Sequence, residues 1–509
     1  MNGSRQKLCV LLTLAMCTVL AACGGGTDGE ASSSAGGTLR VGRAESFDGW
    51  VLDSAAAYAT YQTHAAVFEP LLRFAPDGTN VEPGLAETWV YDEAAMTWTF
   101  TLRSNAKFSD GSPVTSADVV FSYGLWSSGP NFGGSFGQVA DVKAVDDRTI
   151  AFTMKAPDAV LPSLLSASIA GVLPADFGGR SEKDFYAKPI GAGPYRVTKW
   201  SSGGRIELER NPNYYAPDRP KLDKVSIDVV ADDSELSRLF EGGELDLVNY
   251  VSIASAAQYP EGSLTVTPSS QVFHVSLNAT RAPFDDPEVR TAVAAAIDYQ
   301  SIVDGPLREY GALPTGILAP NLGNWAPPSS DYYSFDLSAA KASLAGSKHA
   351  DGAEVELIYD AANGTDALLA QIVQANLGEI GITVKLTGLE TLAFLDRAFA
   401  IDADMTLWSY GAVAPDVSDP LGWIAGTGNL FTGADQTVFD EQRDAYLTTV
   451  SPDAKRAAVV AVQDDARSTA AAIALAETPT VHAVGDKLTG FEPAPWGLYY
   501  FDTIAKSAG

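Results

Sequence analysis

Two short patterns match the nucleophile motifs of hydrolases. Residues 133–137, Gly-Gly-Ser-Phe-Gly, fit the Gly-x-Ser-x-Gly elbow, and Ser104 and Lys107 have the Ser-x-x-Lys spacing of penicillin-interacting enzymes. The elbow needs a strand before it and a helix after it, whereas this segment lies among Gly, Ser, Pro and Asn residues that predict a loop. The sequences that complete the second motif, Ser-Asp-Asn and Lys-Thr-Gly, do not occur. A secreted hydrolase is therefore the least favoured function.

Residues that commonly bind metals or cofactors are sparse. The four histidines are far apart and none forms a His-x-x-x-His pair; they are His64, His274, His349 and His482. No phosphate-binding loop or dinucleotide fingerprint occurs. The 63 Asp and Glu residues leave a two-carboxylate glycosidase open on composition alone. We predict a protein without catalytic residues, metal site or cofactor.

Length and charge narrow the class of protein. The 509 residues are 46% hydrophobic and 19% charged, which suits roughly two to four structural units. The formal net charge is −29. Such a surface repels phosphate backbones, so we expect no nucleic-acid partner.

The N-terminus has the pattern of a bacterial lipoprotein. Basic residues precede an apolar run over 8–22, which is short for a membrane span, and the run ends in Leu-Ala-Ala before Cys23. This predicts a signal peptide over 1–22, an acylated Cys23, and a Gly- and Ser-rich tether over 23–37. An ordinary signal peptide with a chance cysteine is the alternative. The other two cysteines lie in the signal, so the mature body has no disulfide or thiolate site.

Periodicity in the mature chain predicts an α/β fold. Residues 38–41 and 97–102 read as strands, and Ser116 is the expected N-cap of a helix reaching Trp126. Residues 354–389 predict a βαβ unit, whose crossover implies parallel strands. The Ala-rich residues 453–476 predict one helix.

Several longer blocks occur in a fixed order. They are Val-Phe-Glu-Pro-Leu-Leu-Arg at 67–73, Pro-Gly-Leu-Ala-Glu-Thr-Trp at 83–89, Trp-Thr-Phe-Thr-Leu-Arg at 98–103, Lys-Phe-Ser-Asp-Gly-Ser-Pro-Val-Thr at 107–115, Gly-Ala-Gly-Pro-Tyr at 191–195, Arg-Asn-Pro-Asn-Tyr-Tyr at 210–215 and Pro-Phe-Asp-Asp-Pro-Glu-Val-Arg at 283–290. This series resembles the family 5 solute-binding proteins, the oligopeptide, dipeptide and nickel binders of ABC importers. The resemblance covers essentially the whole mature chain.

The resemblance implies a two-lobed, periplasmic-binding-protein-like fold of type II, cluster C-like, that closes over a ligand. The implied parts are lobe 1 at 38–68, 187–273 and 479–509, an extra domain at 69–186, and lobe 2 at 274–478. It further implies a monomer that delivers solute to ABC permease and ATPase subunits. The lipid on Cys23 would hold it outside the cell, on the outer face of the cell membrane.

The resemblance also indicates a ligand-binding segment. In peptide-binding members a similar Asp-x-x-(Asp/Glu)-Pro pattern follows a strand, and its first Asp pairs with the peptide's α-ammonium group, which implies Asp416 here. The alternative for Asp416 is an Asx turn before Pro420. The aromatic residues implied as pocket walls, with core packing as their alternative, are Trp408, Tyr410 and Trp423. The other ligand-facing stretch suggests Tyr58.

One departure argues against a simple dipeptide clamp. Similar dipeptide binders hold an Arg for the ligand carboxylate after the strand that matches 354–359. Residues 354–366 contain no Arg or Lys, and Asp360 falls near that position. A longer peptide or another amine-bearing solute fits better, and a nickel chelate, a sugar or an opine is the alternative ligand.

Overall fold

The structure is a computed structural model. It describes residues 33–34, 36–47, 49–52, 58–75, 78, 80–129, 133–361, 363–412, 414–421, 429–435 and 437–507. The predicted signal peptide, Cys23 and Trp423 lie outside the described residues. Among the described residues, we find no helix with the length and apolar character needed to cross a bilayer.

The first third of the chain is mainly antiparallel. Its strands are β1 (Ser33–Ser34), β2 (Thr38–Arg43), β3 (Leu72–Phe74), β4 (Val81–Pro83), β5 (Ala86–Asp92), β6 (Thr97–Leu102), β7 (Val139–Asp146) and β8 (Thr149–Met154). Its helices are α1 (Tyr58–Val67), α2 (Ser116–Ser128), α3 (Leu161–Leu164) and α4 (Glu182–Ala187). Strands β5, β6, β8 and β7 form a four-stranded sheet in that order, inside the segment predicted as an extra domain. The domain boundaries themselves stay predictions.

The rest of the chain alternates strands and helices. The next strands are β9 (Tyr195–Lys199), β10 (Ile206–Arg210), β11 (Lys224–Val229), β12 (Leu247–Asn249), β13 (Leu264–Leu277), β14 (Ala353–Asp360), β15 (Ile382–Leu389), β16 (Met405–Gly411), β17 (Ala472–Val484), β18 (Leu488–Thr489) and β19 (Ala505–Ser507). The helices are α5 (Asp233–Glu241), α6 (Pro287–Ala296), α7 (Tyr299–Asp304), α8 (Leu337–Gly346), α9 (Gly364–Gly378), α10 (Thr391–Phe399), α11 (Thr437–Thr448) and α12 (Pro452–Thr469).

One large sheet joins the two halves of the molecule. The first half contributes β2 and β9 to β12, and the second half contributes β14 to β16. Among the described residues its order is β15-β14-β16-β13-β17-β12-β2-β11-β10-β9. The long strands β13 and β17 pair antiparallel at its centre, from Leu264 with Ala483 to Ser276 with Ala472. The predicted lobe boundaries after residue 273 and before residue 479 fall within these two strands. The halves are therefore connected by two neighbouring strands, which suits a hinge.

Parallel pairing puts several strand ends at common edges. β2 is parallel to β11 and β12 in the first half, and β14 is parallel to β15 and β16 in the second. The predicted βαβ unit is confirmed as β14, α9 and β15. In such sheets, ligands bind outside the carboxyl ends of the strands. The loops after β2, β12, β14 and β16 are therefore the places to look for a site.

A close backbone approach explains the glycines of the turn at 191–193. Gly193 N donates to Val67 O at 2.8 Å, which fixes this turn against the end of α1. A Cβ on Gly191 would lie 1.9 Å from Val67 O, so only glycine fits there.

Two local predictions were wrong. The N-cap of α2 is Thr115, not Ser116, because Thr115 N and Oγ1 both donate to Asp118 Oδ2 at 2.7 and 2.8 Å in a capping-box arrangement. The helix expected over 453–476 ends at Thr469, where Ala470 adopts a left-handed conformation. Residues 472–476 instead begin β17, because pairing with β13 in the buried centre of the sheet outweighs the helical propensity of alanine.

Candidate ligand-binding site

Asp416 lies on the loop after β16, at the edge where β14 also ends. Its segment crosses that of Gly323, since Gly323 N donates to Pro415 O at 2.9 Å and Val417 N donates to Gly323 O at 3.2 Å. This crossing, together with the helical turn that begins at Ser418, holds the half-buried Asp416 in place.

Three neutral groups donate to the Asp416 carboxylate. Asn324 Nδ2 reaches Oδ2 at 2.8 Å, while Tyr446 OH and Ser418 N reach Oδ1 at 2.6 and 2.9 Å. The Ser418 contact is the Asx-turn hydrogen bond of the structural alternative. Burial, followed by the nearby Asp416 charge, raises the pKa of Tyr446, so this phenol remains a donor. In the part of the chain that the structure describes, no lysine or arginine forms an ion pair with this carboxylate.

The other predicted residues have different surroundings. Trp408 is 3% exposed: its Nε1 donates to Ser276 Oγ at 2.7 Å and its ring stacks on His274 with centroids 4.5 Å apart. Burial lowers the pKa of His274 to about 4, so the stacked imidazole is neutral near pH 7. These contacts favour the core-packing alternative for Trp408. Tyr410 is half-buried and donates to Asp419 Oδ2 at 3.1 Å.

Tyr410 therefore lies in the same loop region as Asp416, because Asp419 N donates to Asp416 O at 3.1 Å. Tyr58 begins α1 in the first half of the molecule, away in sequence from this loop. The ligand-facing roles of all these residues stay predictions.

A cavity of about 200 Å³, here called the hinge cavity, lies between the halves. Its walls come from the loops after β2, β12 and β14 and from the middle of β13 and β17. The polar residues that line it are Glu45, Gln271, Asn363, Thr365, Thr478 and Thr480. This position matches the strand-end rule for open α/β sheets.

Two polar groups of the hinge cavity were missed from the sequence. Glu45 is open to solvent in the cavity, but the surrounding protein desolvates its carboxylate and raises its pKa, against a hydrogen bond from Ala59 N at 3.2 Å. Thr480 Oγ1 is buried and has no hydrogen-bond partner in the described part of the chain. The signal available for Glu45 was its place two residues after a strand that pairs in parallel.

The segment that matches the nucleophile-elbow pattern does not have the order of elements that this motif requires. Residues 133–136 form a short 3₁₀ turn that precedes β7, so the order is the reverse of a nucleophile elbow. The hydrogen bonds of the buried histidines go elsewhere: His64 Nε2 contacts Gly49 O and His274 Nε2 contacts Ile317 O, both at 3.0 Å. No group of three metal-binding side chains occurs among the described residues.

Comparison with known proteins identifies the family. A family model described as "Bacterial extracellular solute-binding proteins, family 5 Middle" matches residues 80–431. The chain belongs to this family. It is 27% identical over 366 residues to the probable D,D-dipeptide-binding periplasmic protein DdpA of Escherichia coli K12, covering 69% of this chain and 70% of DdpA.

Solved structures confirm the periplasmic-binding-protein fold. The DppA protein of Helicobacter pylori, in complex with the peptide STSA, matches with a TM-score of 0.81 at 21% identity, over 93% of this chain and 98% of DppA. The binding protein AgaA of A. tumefaciens R10, in complex with agropinic acid, matches with a TM-score of 0.76 at 25% identity, over 93% of this chain and 99% of AgaA. These relatives are named as binding proteins rather than enzymes, which fits a non-catalytic chain.

Proposed function

We propose that this chain is the solute-binding lipoprotein of an ABC importer, and that it captures a peptide-like solute with a free ammonium group. Family membership supports solute binding, and the E. coli and H. pylori relatives are named for or bound to peptides. The solute would be enclosed between the halves when they close about β13 and β17, and the closed form would be presented to the permease.

The observation that carries the peptide assignment is the charge balance at Asp416. A half-buried carboxylate with neutral donors only is preorganised in position, yet its negative charge lacks a protein counter-ion among the described residues. A carboxylate has about four lone-pair sites, so three donors leave it able to accept from an ammonium. A charge-assisted hydrogen bond of this kind is among the stronger polar contacts in proteins.

The polar lining of the hinge cavity favours a peptide ligand longer than a dipeptide that is bound at both ends. Its polar side chains suit the backbone amides of an extended chain. The sequence around Asn363 supplies no cation for a terminal carboxylate, because 354–366 hold no lysine or arginine. We therefore propose amine recognition at one end and no carboxylate clamp after β14.

A non-peptide solute is the second candidate, because the match to AgaA in complex with agropinic acid is as extensive as the peptide-bound matches. Native mass spectrometry of the purified protein separates the two. A set of co-purified masses spaced by amino-acid residues supports a peptide ligand. A single non-peptide mass supports the second candidate.

The role of Asp416 is tested with one peptide in two forms, with a free or an acetylated N-terminus. We expect calorimetry to show at least tenfold tighter binding of the free amine, which is about 1.4 kcal/mol. Asp416→Asn keeps the size of the side chain and should remove most of that preference. Asp419→Asn, in the same loop, is the matched control and should keep it. An unchanged preference in Asp416→Asn would exclude Asp416 as the ammonium partner.

The anchor is tested separately. Cys23→Ala should abolish incorporation of labelled fatty acid and release the protein from the membrane fraction. Membrane retention without label incorporation would contradict the proposed lipoprotein.

A further inference from the structure

A second cavity, here called the seam cavity, lies between residues 134–164 and residues 418–447. It has a volume of about 250 Å³. One wall comes from the four-stranded sheet and α3, with Val139, Met154 and Leu161; the other comes from α11, with Leu447. The walls are thus mainly apolar and are contributed by two segments far apart in the sequence.

The charged groups around the seam cavity are engaged with protein. Arg443, at its edge, pairs with Asp440 and Asp444 at 2.8 Å each. Asp158 accepts from Val160 N at 3.1 Å and also from Leu161 N and Trp98 Nε1. An acidic ligand side chain in this cavity would therefore find no unpaired cation among these groups, because Arg443 is already paired with two carboxylates.

Ser418 is the exception among these polar groups. Its Oγ is buried, with the residue 5% exposed, and has no hydrogen-bond partner among the residues that the structure describes. A buried hydroxyl without a partner costs free energy unless a further group completes it. Ser418 also connects the cavity to the proposed ammonium site, because its backbone N donates to Asp416 Oδ1 at 2.9 Å. Ser418 thus contributes both to the wall of the cavity and to the hydrogen bonds at Asp416.

We infer that the seam cavity takes the side chain of the ligand residue that carries the ammonium group, and that this side chain is apolar and of leucine to phenylalanine size. The inference rests on the proposed function. An apolar cavity of about 150 Å³ is known to hold a benzene-sized group, so the volume is sufficient. Fully burying such a side chain favours binding, whereas burying an acidic one without a partner opposes it. The Ser418 hydroxyl lets the cavity tolerate one polar atom, as in methionine or tyrosine.

The test is calorimetry with tetrapeptides X-Ala-Ala-Ala, in which X is Ala, Leu, Phe or Asp. We expect Leu and Phe to bind at least about tenfold more tightly than Ala, and Asp to bind most weakly. The shifted series Ala-X-Ala-Ala should show less than about threefold variation. Equal affinities in the first series, or a preference only in the shifted series, would overturn the inference while leaving peptide binding intact. Failure of every peptide to bind would overturn the proposed peptide function, and this pocket with it.

Variants that fill the seam cavity test whether it is the pocket for the ligand side chain. Leu447→Trp should reduce the Leu-to-Ala preference to less than about threefold and leave the affinity for the Ala peptide nearly unchanged. Val438→Trp is the matched control, since Val438 is on the same helix but 47% exposed, and it should keep the full preference. If Leu447→Trp does not fold, Ser418→Leu fills the cavity from the other wall and keeps the backbone donor to Asp416. Full preference in a folded cavity-filling variant would exclude this cavity as the side-chain pocket.

Discussion

Asp502 and Asp416 are both held by several hydrogen bonds, but their donors differ in charge. Asp502 is fully buried and accepts from Arg73 Nη2 at 2.9 and 3.2 Å, and the same guanidinium donates to Glu69 at 3.2 Å. Asp416 is half-buried and receives donors that are all neutral. The first carboxylate thus has a protein cation within hydrogen-bond distance, whereas the second has none among the described residues. This difference separates a structural ion cluster from a candidate ligand site.

The Arg73 cluster also connects distant parts of the chain. Arg73 lies within β3, donates to Tyr214 OH at 2.7 Å and lies over the ring of Tyr500, 3.6 Å from its centroid. Its partners therefore come from both ends of the first half. Removing either partner of a buried ion pair lowers the free energy of unfolding, because the remaining partner stays buried without compensation.

The largest expected effect comes from breaking this cluster. Arg73→Ala leaves Glu69 buried without its cation and leaves Asp502 with the more distant Arg219 Nη1, at 3.6 Å, so we expect the free energy of unfolding to fall by about 3–5 kcal/mol in urea titration. Arg148→Ala is the control, since Arg148 pairs with Glu87 at 2.9 Å on the surface, with both side chains more than 40% exposed. That change should cost less than about 1 kcal/mol. Similar losses in the two variants would show that burial of the Arg73 cluster adds no stability.

Asp366 extends the comparison to a buried carboxylate for which the described residues provide neither a cation nor a neutral hydrogen-bond donor. It lies in the first turn of α9, 4% exposed, and within the described ranges its Oδ1 has no hydrogen-bond partner. Burial, and then the negative Asp360, raise its pKa from 3.8 to about 8. The folded state therefore keeps a proton that the unfolded state loses between about pH 4 and pH 8. Across that window this group makes the free energy of unfolding fall as pH rises, by at most about 1.4 kcal/mol per pH unit.

Asp366→Asn should remove this term. We expect the variant to be more stable than the parent by about 1–3 kcal/mol at pH 8, with little difference near pH 4, as measured by urea titration at both pH values. Asp453→Asn is the control, because Asp453 is an exposed acidic residue in the first turn of α12. It should cost a few tenths of a kcal/mol instead, through the lost helix-dipole interaction. A pH-independent difference for Asp366→Asn would mean that Asp366 is ionised in the folded state at neutral pH.

Local patterns in the sequence predicted the elements well where side chains alternate or recur at short range. The strand over 97–102 and the βαβ unit over 354–389 are of this kind, and both are present. The error at 472–476 has the opposite cause, since alanine has no strand preference and only pairing with β13 makes this segment a strand.

The residues of the candidate site also differ in whether the sequence alone could predict them. Asp416 could be named because its own segment carries the pattern. Its donors Asn324 and Tyr446 could not, because they lie 92 and 30 residues away in the sequence and only the tertiary fold brings them together. Glu45 belongs to the same class, since its place in the hinge cavity depends on which strands pair in parallel.

The smallest expected effect tests whether neutral donors matter to Asp416. Tyr446→Phe removes the hydroxyl that donates to Oδ1 at 2.6 Å, and the ring that Lys455 Nζ contacts at 4.6 Å is kept. We expect the affinity for a free-amine peptide to fall by about two- to tenfold, because one hydrogen bond that positions the carboxylate is lost.

Tyr410→Phe is the matched control, since the Tyr410 hydroxyl donates to Asp419 instead. It should leave the preference for a free over an acetylated peptide unchanged in calorimetry. The reverse result, with Tyr446→Phe unchanged and Tyr410→Phe weakened, would transfer the ammonium contact from Asp416 to Asp419. The comparison with Asp502 would then also change, because Asp419 is 4% exposed and is therefore buried more deeply than the half-buried Asp416.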